Sequence, residues 1–575
     1  MPQLPILRAP GDEGPASSTA LKYSGTRLYL LLLVLITSAY CLWVLSLPLF
    51  PTQDGPMHLY YTHVLHALLF GSPGIYSRFY AIRHILPPYA LYYYTLMLLS
   101  HFVPLILADK LVVCIYLLCF AFGFRFLATS VGPRGNLMAL LATPLLLNWS
   151  LGMGFLNFCL SSAIVLWALG LWCRASGTLS SPASSARRLG FVLLAYIAMF
   201  THPIPILMLV TFCLIDIGIR VLLHRRRRSL TPLRLTSDLF ALAAAMGTLL
   251  YVKLFTVKVA VPQASTLKHA GFLHESFANA RFYALQRSLS YFGGHAPIDF
   301  ASRILLASLL LLPLALALHQ RLRNHRLGLW TLGDTWLVVS LTLSLSLPFI
   351  PNEVNNAHYF GARLVPFALL AALAAASAST WSPQASSTQT KRSTRSAGLA
   401  FALTVTILSV NLVFLVTAES RIRPVARNLV TLANTPPPFT QQVGLLLASP
   451  TYLRPGNLSF DPYYWSGATF FRQTESVLYN SPWLIFSVMP LQATDLMPTN
   501  RISPIAMEQP EIFTTLLESR PAIRRQTLPQ ASFAINNSGA NPASDMINPA
   551  LVSATPGPAA WICTPATFYA LCTQP

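Results

Sequence analysis

The sequence predicts a mainly α protein, a polytopic bundle of about 11 membrane-spanning helices followed by a C-terminal extracytoplasmic α/β domain. Three observations predict it. The chain of 575 residues is 54% hydrophobic and only 10% charged, with a mean hydropathy of +0.54. A water-soluble exterior of this size needs far more charge. Its apolar residues fall in runs such as Arg27 to Phe50, Asp238 to Thr256, Ala301 to His319 and Ala397 to Thr417. Each run is long enough to cross a bilayer core. The net charge of +21 is also unevenly placed. Nine Arg and eight acids from Glu419 onward leave +1 there, so +20 sits in the apolar part.

The elements follow in order. Residues 1–26 are polar and rich in Pro, Ser and Gly, and are predicted to be a disordered cytoplasmic tail. The first apolar run is too long for a signal-peptide h-region and reads as a first spanning helix. Basic loops set the inner side: Arg174 with Arg187 and Arg188, His224 to Arg228, Arg321 to Arg326, and Lys391 to Arg395. They lie in short loops between apolar runs, so the positive-inside rule explains them better than nucleic-acid binding does. The loop Pro51 to Pro88, the turn Thr201 to Pro205, Thr256 to Phe300 and Pro351 to Arg363 then face outward. Arg125 and Arg134 belong inside by the same rule. Tyr89–Leu107 is therefore predicted to stay at the outer face as an interfacial or re-entrant segment. Its three tyrosines Tyr92, Tyr93 and Tyr94, with Pro104, suit that place. Residues 27–418 thus form the transmembrane domain and 419–575 the soluble domain, with an inside N-terminus and an outside C-terminus.

Six cysteines, Cys41, Cys114, Cys119, Cys159, Cys173 and Cys213, fall in apolar segments and read as packing residues. Cys563 and Cys572 lie in the polar C-terminal part, where an extracytoplasmic location would make them a candidate disulfide.

Only ten acids precede Glu419, so each can be weighed. Asp216 stands four residues before Arg220, the spacing of an intrahelical pair. Asp238 and Asp334 are predicted as helix N-caps, and Asp109 adjoins Lys110 at a turn. The outer face keeps Asp54, Glu275, Asp299 and Glu353. Asp54 stands out. It lies in FPTQDGPMHLY, just past the first helix, and Gly55-Pro56 turns the chain after it. Met57 to Phe70 then reads as an amphipathic surface helix. A carboxylate so held can act as general base toward an acceptor, or hold a divalent cation against a lipid-linked phosphate. The plainer alternative is an Asx turn that caps the next helix. Around it stand His58 and His202, the latter in THPIP. The segment PNEVNNAHYFGARLVP carries Glu353, His358, Tyr359 and Arg363. An Arg there can hold a phosphate bidentately or snorkel to headgroups. The loop with Lys258, Lys268, His269, His274, Glu275 and Arg287 has the length of a gating loop.

An Asp in the first outer loop, followed by a surface helix, resembles the GT-C superfamily of membrane glycosyltransferases, and DGPMH at 54–58 is the element that carries the likeness. The partly embedded segment Tyr89–Leu107, the second outer loop Gly154–Phe158 and the C-terminal domain fit the same plan. The resemblance implies an inverting transferase in a bacterial-type inner membrane, taking a sugar from a polyprenyl-phosphate donor at the outer face. Asp54 would activate the acceptor, Arg363 would hold the donor phosphate, and His58 and Asn157 would line the site. The chain departs from the pattern where Gly55 follows Asp54 and Asn157 stands in the second loop. Asn can ligate but cannot act as a base, so metal dependence and catalysis do not follow from the resemblance. A non-catalytic protein binding lipid or glycan on the same scaffold is the alternative. A transporter fits less well, because no inverted repeat or paired broken helices with midplane charges are evident. No Gly-rich phosphate loop, HExxH or GxSxG occurs.

Overall fold

The computed structural model describes residues 17–71, 76–83, 87–176, 182–227, 232–256, 331–349, 360–378 and 389–434, with short further pieces that include the strands of the C-terminal part. Six described helices have the length and apolarity to cross a membrane, and three more are apolar but shorter. Large side chains point outward from them, among them Leu42, Phe240 and Phe401. Apolar surface of this kind suits hydrocarbon and not water. The protein is a multi-pass membrane protein with a helical bundle.

Helix α1 (Ser17–Ser46) leads to the Asp54 turn. It begins inside the stretch expected to be unstructured, because Ala20, Leu21 and Lys22 favour helix once the Ser17-Ser18-Thr19 start is made. α2 (Gly55–Phe70), α3 (Tyr76–Phe79) and the short strand β1 (Tyr80–Ile82) follow. α4 (Ala90–Phe102) has 13 residues, about 20 Å of helix against a hydrocarbon core of about 30 Å. It stays on the face where α1 ends. The expected segment Tyr89–Leu107 is thus cut at Pro104, where α5 (Leu105–Val131) begins and crosses. Asp109 lies within α5 and not at a turn. Its neighbour Lys110 donates to the Leu45 and Leu47 carbonyls at 3.0 and 2.9 Å.

The apolar run Asn136–Asn148 does not form one straight helix. It runs as α6 (Gly135–Leu141), a 3₁₀ turn at Thr143–Leu147 around Pro144, and α7 (Trp149–Gly152). From Met138 to Gly152 this irregular run is buried in protein, the condition under which a membrane tolerates it. Asn148 caps α7 through Leu151 N at 3.1 Å, and its amide donates to the Tyr116 hydroxyl at 2.8 Å.

The rest of the bundle is α8 (Leu156–Ser176), α9 (Pro182–Thr201), α10 (Ile204–Arg227), α11 (Pro232–Thr256), α12 (Leu332–Ser346), α13 (Phe360–Ser377) and α14 (Gln389–Asn434). Small residues let helices approach, as in membranes they must. A Cβ on Gly123 of α5 would lie 2.8 Å from the Trp167 ring of α8. The predicted Asp216–Arg220 pair is present at 2.7 Å. Asp238 is no N-cap: α11 starts at Pro232, and Asp238 binds Arg188 and Arg220. Asp334 sits at the third helical position, where its carboxylate accepts from Thr331 N at 2.7 Å. Of the expected crossing Ala301–His319, only isolated residues are described. α14 passes residue 418 without a break, with Glu419 paired to Arg423 and accepting from Trp43 Nε1.

The described C-terminal elements are strands. β4 (Gly444–Leu447), β5 (Val477–Tyr479), β7 (Phe533–Asn536), β8 (Ile562–Pro565) and β9 (Ala570–Thr573) form one mixed sheet in the order β5-β4-β7-β9-β8. Its antiparallel β8–β9 register sets Cys563 opposite Cys572. β6 (Leu491–Ala493) leaves that sheet and pairs antiparallel with β1, Tyr80 opposite Ala493. The C-terminal part thereby joins the same face as Asp54.

Candidate functional site

Two turns are laced together around Asp54. Gln53 N donates to Gly152 O at 3.0 Å, and Asp54 N to Met153 O at 3.1 Å. Gly154 has φ +82°, and a Cβ there would sit 2.8 Å from Asp54 N and 2.9 Å from Asp54 Cβ. A left-handed φ and a close backbone approach both require glycine. The second outer loop therefore acts through Gly154 and not through an acid.

Asp54 stands at the N-cap of α2, but its side chain makes no capping hydrogen bond. The carboxylate is buried, 7% exposed, and within electrostatic reach of Arg363 and Tyr93. α2 is not the one-sided surface helix expected: Met57 to Thr62, Val64, Leu65 and Ala67 are all buried. It is packed under β1 and α4, with the Tyr60 and Tyr80 hydroxyls 2.8 Å apart.

His58 lies one turn after Asp54. Its Nε2 is 3.1 Å from Gly154 O and its Nδ1 2.7 Å from the Tyr93 hydroxyl. A carbonyl only accepts, so Nε2 carries the proton and Nδ1 accepts from Tyr93. Burial pushes the imidazole down to about 4, against the Gly154 hydrogen bond. His58 is therefore neutral near pH 7, and both its nitrogens are spent within the protein. It braces the two turns and has nothing left to offer a substrate. Asn157, in the first turn of α8, accepts from the Phe158 N–H at 3.0 Å and serves the helix start.

Across from Asp54 is a second group. Arg363, at the head of α13, is buried, with its Cζ 4.0 Å from the centre of the Phe155 ring and 5.4 Å from that of Phe158. Its Nε has no hydrogen-bond partner among the described residues, and no described carboxylate lies within ion-pair distance. His202 links α9 and α10, and its ring is stacked on Tyr89 with centroids 4.8 Å apart. Ile204 N donates to His202 Nδ1 at 3.2 Å, and His202 Nε2 is 3.1 Å from the Tyr89 hydroxyl. Burial first, and the Arg363 guanidinium second, push the His202 imidazole well below its ordinary range.

Glu353 and His358 face each other in a small antiparallel pair, β2 (Glu353–Val354) with β3 (Ala357–His358), just before α13. Tyr359 and the loop carrying Lys258 to Arg287 lie outside the described residues. A cavity of about 20 Å³, room for about one water, lies beneath the site among Asn148, Phe158, Cys159, Ser162, Pro366 and Phe367. Neither Asp54 nor Arg363 lines it. Among the described residues no three His, Cys, Asp or Glu side chains converge, and the ring nitrogens of His58 are occupied.

With this geometry in hand, one solved structure is similar along nearly the whole chain. It is ArnT from Cupriavidus metallidurans, bound to undecaprenyl phosphate, which covers 95% of this chain and 98% of its own at a TM-score of 0.52 and 10% identity. The chain shares the fold of that protein. No family model and no curated relative matches the chain. On this scaffold the predicted site residues Asp54, His202 and Arg363 come together, and Gly154, expected only as part of the second outer loop, joins them. Tyr89 and Tyr93 were not foreseen as site residues, because tyrosines near a membrane face read first as interfacial anchors.

Proposed function

We propose that the protein is a polyprenyl-phosphate-dependent glycosyltransferase that works on the face where Asp54 lies. The observation that carries this is Arg363, a buried cation held between aromatic rings with no described carboxylate within ion-pair distance, Asp54 acting on it only from further off. A charge so placed is costly unless an anion joins it, and a guanidinium matches phosphate oxygens two at a time. The fold, shared with a protein crystallised on undecaprenyl phosphate, supports a lipid-linked phosphate as that anion.

The mechanism follows from placement. Asp54 takes the proton of an acceptor hydroxyl as that oxygen bonds to the sugar's anomeric carbon. The bond from that carbon to the phosphate oxygen breaks on the opposite side, and the configuration inverts. Arg363 stabilises the charge that builds on the departing polyprenyl phosphate. His58 and Gly154 hold the Asp54 turn still while this happens. The multi-pass bundle sits in a bacterial-type inner membrane, with the C-terminal domain and the acceptor on the outer side.

The test is transfer from a panel of polyprenyl-phosphate sugars, in membranes, by wild type and Asp54→Asn. A drop of about 100-fold or more, with polyprenyl phosphate still bound, is the expected result. Full transfer by Asp54→Asn would sink the base role. One observation favours the second reading, a lipid- or glycan-binding protein without catalysis: Asn157 serves its own helix and brings no second acid to Asp54.

A further inference from the structure

The hydrogen-bond pattern at His202 constrains what the pocket beside Arg363 can bind. Ile204 N–H belongs to the backbone and can only donate, so His202 Nδ1 must accept it. A neutral ring with an accepting Nδ1 carries its proton on Nε2. That proton points at the Tyr89 oxygen 3.1 Å away, which therefore accepts it. The Tyr89 hydroxyl proton then has no described acceptor. Arg363 Nη1 lies 3.4 Å from the same Nε2, but both are donors, so this approach satisfies neither. Arg363 Nε is unpartnered as well. The charge of Arg363 acts on Tyr89, which places hydroxyl and guanidinium in one neighbourhood. His202, Tyr89 and Arg363 thus bring together donors in excess of acceptors.

We propose that Tyr89 is a further phosphate ligand of this site, donating its hydroxyl beside Arg363, and that His202 is the positioning residue that makes it a donor. The class of ligand is a phosphate ester whose oxygens are acceptors only. His202 itself does not touch that ligand: one nitrogen serves the α10 start and the other serves Tyr89. The inference rests on the reading of Arg363 as a phosphate group's partner and adds two residues to it.

The experiment is calorimetric titration of the full-length protein in detergent with farnesyl phosphate and with farnesol. Tyr89→Phe keeps the ring that stacks on His202 and removes only the hydroxyl. Farnesyl phosphate is expected to bind Tyr89→Phe about tenfold or more weakly than wild type, with farnesol affinity unchanged. His202→Asn is expected to weaken farnesyl phosphate binding in the wild-type background, and to leave the phosphate-over-alcohol preference unaltered once Tyr89 is Phe. Equal binding of farnesyl phosphate by Tyr89→Phe and wild type, with loss in Arg363→Gln, overturns the assignment of Tyr89 and leaves Arg363 standing. An equal fall for both ligands also overturns it, since that is lost packing and not a lost donor. If wild type binds farnesyl phosphate no better than farnesol, the phosphate reading of the whole pocket fails, and this inference with it.

Discussion

The two ends of the helical bundle treat buried charge in opposite ways. At the end away from Asp54, Arg220 holds Asp216 and Asp238 at 2.7 Å each, Arg188 holds Asp238 at 2.8 Å, and Trp172 donates to Asp216 at 2.8 Å. Two cations meet two anions there, and α8, α9, α10 and α11 are tied by the result. At the Asp54 end, Arg363 is as deeply buried and has no such partner among the described residues. A closed network of charges is an architectural joint. An open one is a place for something that arrives later. The difference supports, without reference to any relative, the proposal that Arg363 serves a ligand while the Arg220 cluster serves the fold.

The largest effect that would sharpen this contrast is at the closed end. Asp238→Ala leaves Arg188 without its carboxylate and Arg220 with one of two. Removing one partner of a buried pair costs on the order of 3 kcal/mol. The expected outcome is a clear fall in melting temperature of the purified protein, with farnesyl phosphate affinity of the folded fraction unchanged. A mutant that melts normally but binds poorly would mean the two ends are not separate in the way described.

Much of the closed and the open end was legible beforehand, and the reason is scarcity. With ten acids before Glu419, Asp216 and Asp54 could each be weighed singly. Asp216–Arg220 follows from helix spacing alone. Asp238 was misplaced because the apolar run starts at it, while the helix starts at Pro232 and draws its other partners from α9 and α10. Contacts between distant segments leave no local pattern. The same holds for Tyr89 on His202, Tyr93 on His58 and β6 on β1. Gly154 was noticed as part of a loop, but its role depends on a φ angle and on Asp54 approaching from 100 residues away.

A smaller effect is expected at Gly154, where the open end is held in shape. Gly154→Ala must place a Cβ into the Asp54 backbone at a φ that L-residues avoid, a strain of about 1–3 kcal/mol. The Asp54 turn has to shift. Transfer is expected to fall severalfold or more, because small displacements of a reacting group are costly, while farnesyl phosphate binding, which runs through Arg363, stays within about twofold. Loss of both in equal measure would show that the Gly154 turn supports the phosphate pocket too, and would merge two regions here kept apart.

The smallest effect is a pH slope, and it distinguishes the same two ends. His58 is held neutral at about 4 in the folded protein and titrates near 6.5 when unfolded. Between those values the unfolded chain binds the proton and the folded chain does not. Stability attributable to His58 is therefore complete above pH 6.5 and is lost as pH falls toward 4, by up to about 1.4 kcal/mol per pH unit. His202 is shifted in the same direction and adds to the slope. His58→Gln can still donate to Gly154 O and accept from Tyr93, but it does not titrate. Melting temperatures from pH 7 to 4.5 should thus fall less steeply for His58→Gln than for wild type. If His58→Gln and wild type lose stability in parallel, the imidazole is not shielded as the Gly154 and Tyr93 hydrogen bonds require. The brace between the two outer turns would then have to be sought in the backbone bonds of Gln53 and Asp54 alone.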